Sequence, residues 1–75
     1  MAIKFRIAYS GNARREGEDM LEFILALIEK FVLHNLERDG EIYKFEIFPK
    51  REMQGSEAEN QIQRALGDNM EIKFE

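Results

Sequence analysis

Cysteine and tryptophan are absent from this 75-residue sequence, and proline and histidine occur once each, at Pro49 and His34. Without cysteine there can be no disulfide and no zinc–thiolate centre. The same absence suits a reducing compartment. With one histidine, metal ligation falls to carboxylates, and any acid–base scheme near neutral pH leans on His34. Long apolar runs are also missing. The longest, Phe23–Ile28, falls far short of the ~20 residues that cross a bilayer. Met1-Ala2-Ile3-Lys4-Phe5-Arg6 sets charges among apolar residues and reads as no signal peptide. The expectation is a soluble, cytoplasmic protein with no membrane partner. Positive charge is the minority sign: the net charge is −4 and the pI about 5.0, which argues against broad nucleic-acid binding. No G-x-G-x-x-G, P-loop or D-x-D-x-D-G pattern occurs. No cofactor, metal or catalytic residue is therefore assigned, and a non-enzymatic reading is favoured.

Residues 1–75 make one small domain. A core of this size rarely supplies more than ~3–5 kcal/mol unless something reinforces it. With disulfides and thiolate metals excluded, association is the reinforcement that remains.

The periodicity changes along the chain. Ile3–Tyr9 alternates, with Ile3, Phe5, Ile7 and Tyr9 on one face, and reads as a half-buried strand. A polar loop, Ser10–Gly17, follows. A glycine inside a helix costs about 1 kcal/mol, so the next helix is expected to start firmly at Gly17 rather than near Asn12. It then runs over Glu18–Arg38 and stops at Asp39-Gly40, with Gly40 as the left-handed residue after the helix. Glu41–Phe48 alternates again, with Tyr43, Phe45 and Ile47 together, and Pro49 ends it. Ser56-Glu57-Ala58-Glu59 matches a capping box and predicts a short helix capped by Ser56. Met70–Glu75 is the last strand. The fold class is α+β: a two-layer β-α-β-α-β sandwich in which two helices cover one side of a mostly antiparallel or mixed sheet. A further strand at Lys50–Gln54 would make the order β-α-β-β-α-β, the ferredoxin-like arrangement.

Several segments invite a site. The loop before the first helix carries Arg14 and Arg15 at a helix N-terminus, where an anion is favoured, but Glu16, Glu18 and Asp19 stand beside them. Those acids and Glu22 form a carboxylate cluster whose simplest role is to complement the helix dipole. His34 sits at the margin of the helix's apolar face, with Ser10, Ser56, Tyr9 and Tyr43 as the available hydroxyls. Lys4, Arg6, Lys44 and Lys73 fall on the charged sheet face, interleaved with Glu46, Glu71 and Glu75. Only Phe48 is left there to stack on a base, where an RNA-binding sheet needs several aromatics.

The expected long helix is the anomaly. Met20, Leu21, Ile24, Leu27, Ile28 and Phe31 fill the stripe that a sheet would cover. Leu25, Val32, Leu33 and Leu36 extend it beyond that stripe. The leading expectation is a protein–protein interaction module, such as a small regulatory or accessory protein, that pairs with a second copy through Leu25, Val32, Leu33 and Leu36. The alternative is a nucleic-acid or phosphate-ligand binder using Arg14 and Arg15, helped by Lys50 and Arg51. A small oligomeric enzyme centred on His34 ranks third.

Overall fold

The structure, a computed structural model, describes residues 1–75. Its elements are β1 (Ile3–Tyr9), α1 (Ala13–Leu27), β2 (Phe31–Asp39), β3 (Ile42–Pro49), α2 (Gly55–Arg64) and β4 (Met70–Phe74). The strands form one open sheet in the order β2-β3-β1-β4, antiparallel at every pairing. The α+β class and the one-sided sheet are as the alternating strands require. The element order β-α-β-β-α-β is also that of the ferredoxin-like arrangement. The added strand, however, is not Lys50–Gln54, which is irregular and forms a loop.

That strand is β2, and it comes out of the expected long helix. Three causes can be named. First, α1 ends at Leu27 with neither glycine nor proline: after a last turn at Ile28–Lys30, the Lys50 N–H donates to the Lys30 carbonyl at 2.9 Å and draws the chain into the sheet. Second, a bulge between Leu33 and Asn35 inserts one residue, so Leu33 faces Ile47 and Leu36 faces Phe45. The helix-side residues of β2 are then Phe31, Leu33 and Leu36, a spacing that breaks the two-residue period and imitates a helix. Third, Asp39-Gly40 is a hairpin turn and not a helix end. Asp39 pairs with Ile42 across Gly40-Glu41, and Gly40 alone has positive φ, at 64°. A left-handed glycine leading a two-residue loop matches the twist of antiparallel strands.

Both helix starts also differ from expectation. Asn12 is the N-cap of α1, its side-chain oxygen accepting from the Arg14 N–H at 2.9 Å. The helix therefore begins before Gly17 and carries that glycine in its interior. α2 begins at Gly55 after Gln54, which makes no side-chain cap. The Gln54 carbonyl accepts from the Ala58 N–H at 3.0 Å, so Ser56 lies inside the first turn and is not the cap.

Twelve side chains are buried, all apolar, in a core between the sheet and the helices. At its centre Phe5 stacks on Phe45 at 4.9 Å, and Phe23 of α1 meets both rings edge-on at 6.2 and 5.5 Å. Met20 and Leu27 of α1 and Ala58 and Ile62 of α2 complete the helix side. No helix is long and apolar enough to cross a membrane.

Candidate functional site

The N-terminal half of α1 is tied to the sheet by two tyrosine–carboxylate contacts. Tyr9 donates to Asp19 at 2.5 Å, and Tyr43 donates to Glu16 at 2.6 Å. Arg38 of β2 pairs with the same Glu16 at 3.1 Å and lies over the Tyr43 ring, 5.1 Å from its centre. Each hydroxyl holds its proton more firmly than an ordinary tyrosine. For Tyr9 the main cause is the hydrogen bond to Asp19, and for Tyr43 the bond to Glu16; desolvation adds to both. Two of the acids in the Glu16–Glu22 cluster are thus structural anchors. No three His, Asp or Glu side chains are grouped as a metal site. Gly11 belongs to the same corner: a Cβ there would come within 2.6 Å of Asn69 and 2.7 Å of the Tyr9 hydroxyl.

The residues of the anion-binding reading do not converge. Arg14 and Arg15 start α1 at the Tyr9 end of β1, and Arg15 pairs with Glu18 at 3.7 Å. Lys50 and Arg51 follow β3 at the opposite end of the sheet, where Ile47 faces Ile3. β1 alone separates the two ends by ~20 Å at strand rise. The groove between α1 and α2, about 570 Å³, has Arg15 and Arg64 on its walls but also Asp19, Glu22 and Asp68, so no single sign prevails.

His34 lies in the β2 bulge, exposed, edge-on to Phe48 at 5.3 Å and 4.0 Å from Glu46. It is on an edge strand and not on a helix. None of the hydroxyls named with it is hydrogen-bonded to it. Tyr9 and Tyr43 are engaged with α1, and Ser10 donates to the Asn69 carbonyl at 3.3 Å. On the open sheet face Lys44, Arg6 and Lys73 stand directly opposite one another on neighbouring strands. Like charges so placed repel. Lys44 is relieved by Asp39 at 3.3 Å, Arg6 by Glu75 at 3.7 Å, and Lys4 by Glu46 at 3.9 Å. Phe48 is the one aromatic on that face and is already in contact with His34.

The four residues expected to form an interface are split between two elements. Leu25 is on α1; Leu33 and Leu36 lie on the helix side of β2; Val32, opposite Phe48, lies on the open face. They form no common helical stripe. Leu33 is half-buried against the core. Exposure nevertheless concentrates here. Leu21 is 55 % exposed, Leu25 52 %, Val32 51 %, and Ile28 and Leu36 39 % each; Met1 is the only other large apolar residue so exposed. Leu21, Leu25 and Ile28 share one flank of α1, turned away from the buried Met20, Phe23 and Leu27. The apolar spacing sets only Leu25 of this flank outside the sheet-facing stripe; Leu21 and Ile28, expected within that stripe, join the flank because the helix ends at Leu27 and its buried face is Met20, Phe23 and Leu27. No known protein family matches this chain, and no curated protein shows significant sequence similarity to it.

Proposed function

We propose that the protein is a non-enzymatic interaction module that associates with a second copy of itself through the outer flank of α1, extended by Leu36 at the edge of β2. One observation carries the reading: four of the six exposed large apolar side chains, Leu21, Leu25, Ile28 and Leu36, lie along the outer flank of α1 and the helix side of β2, two elements that pack together. Scattered single leucines on a surface need no explanation, whereas a group on one edge marks a contact. The thin core gives the contact a second role, since self-association adds buried area that a 75-residue chain lacks. A two-fold contact brings the same residues together from both copies.

Strand β2 is open as well, but it is guarded. A bulge, then Glu37, Arg38 and Asp39, interrupt its edge, and bulges and charges are how sheets avoid edge-to-edge pairing. The contact is therefore placed on the helix flank and not on strand addition. The test is mass action: the unfolding midpoint should rise with protein concentration in the wild type and lose that dependence in Leu25→Glu. A wild-type midpoint that is independent of concentration over a hundredfold range contradicts the proposal.

A further inference from the structure

Gly17 lies within α1, yet nothing in the chain asks for a glycine there: a Cβ built on it meets no atom within 4 Å, and its φ is not positive. Interior helix positions disfavour glycine, and this one neither turns the chain nor lets another segment of the same molecule approach. Its place on the helix supplies a reason. Gly17, Leu21 and Leu25 follow at intervals of four residues and so stand in one row on the flank described above. Arg14 precedes this row on the same side, and Glu29 follows it just beyond the helix end. Both charges are exposed, and neither is in an ion pair within the chain.

The flank thus carries the cation Arg14 at one end, where the neighbouring Glu18 is taken up by Arg15 at 3.7 Å, is apolar in the middle and ends on the acid Glu29, with a hollow at Gly17. Such a surface complements itself only when turned end for end. Resting on the self-association proposed above, we infer that the two copies of α1 pack antiparallel about a two-fold axis at Leu21. Leu21 then meets Leu21 of the other copy, and Leu25 of each copy seats over Gly17 of the other. Arg14 of each lies near Glu29 of the other. The antiparallel arrangement also sets the positive end of each helix dipole beside the negative end of its neighbour.

Analytical ultracentrifugation of four variants beside Leu25→Glu tests the register. Gly17→Leu fills the hollow and should raise the dimer dissociation constant at least tenfold, while circular dichroism of the dilute variant shows a helix no less stable than the wild type. Arg14→Glu should weaken the dimer several-fold, as should Glu29→Arg, and the two together should restore it, because the pair is then reversed in both copies. A dimer that is lost in Leu25→Glu but untouched by Gly17→Leu and by the charge reversals overturns the antiparallel register and leaves self-association standing. A wild-type monomer overturns both.

Discussion

Asn12 and Ser56 make a controlled comparison of what one side chain does at a helix start. Asn12 accepts a hydrogen bond from a backbone N–H that would otherwise be free, so Asn12→Ala should cost about 1 kcal/mol. Ser56 makes no such bond, and Ser56→Ala should leave the urea midpoint within a few tenths of a kcal/mol, on the order of an ordinary surface change. The capping-box spelling at Ser56–Glu59 was legible; that the helix would begin earlier, at Gly55 after an uncapped Gln54, was not, because no side-chain signal marks that start. The two tyrosines yield a pH prediction. Their folded-state pKa values are raised above 10.0. The neutral hydroxyl is thus favoured by folding, a contribution complete below pH 10.0 and lost as pH rises through the folded values. The wild type should lose stability above that pH more steeply than Tyr9→Phe, Tyr43→Phe, measured by thermal unfolding in parallel. Identical slopes would mean that these contacts do not persist in solution.

At the scale of elements the β2–β3 hairpin is the decisive feature. Gly40→Ala forces a side chain into the left-handed region and should destabilise the protein by roughly 1–2 kcal/mol. Had Gly40 ended a helix after Arg38 the same substitution would also cost something, so the discriminating change is Leu36→Pro. In β2, Leu36 faces Phe45 within the ladder, and amide exchange should show protection lost along both β2 and β3, with α1 kept. Strands β1, β3 and β4 were readable because their residues alternate without interruption. β2 was not, because its bulge at His34 moves Leu36 to the core side and leaves apolar residues at 31, 32, 33 and 36. The end of α1 was hidden for a related reason: no glycine or proline marks it, and the segment that follows is held by a residue distant in sequence, the Lys50 N–H donating to the Lys30 carbonyl. The candidate contact was legible in part. Leu25 and Leu36 were selected by exposure beyond one apolar stripe and remain exposed. Leu33 turned inward, Val32 turned to the open face, and Leu21 and Ile28 came to the flank once the helix was shortened to its true length.

For the whole molecule the question is whether twelve buried side chains suffice alone or are completed by a second copy. The proposed contact puts that completion at the exposed flank of α1 beside β2 and leaves the open sheet face to solvent. A single substitution separates the alternatives, because Leu21 and Leu25 are half exposed in the monomer and a glutamate there meets water unless a second copy is present. The direct measurement is molar mass by light scattering coupled to size exclusion, at tens of micromolar protein. The account predicts twice the 8.9 kDa chain mass for the wild type and a folded monomer for Leu21→Glu and Leu25→Glu. A wild-type monomer under those conditions would contradict it.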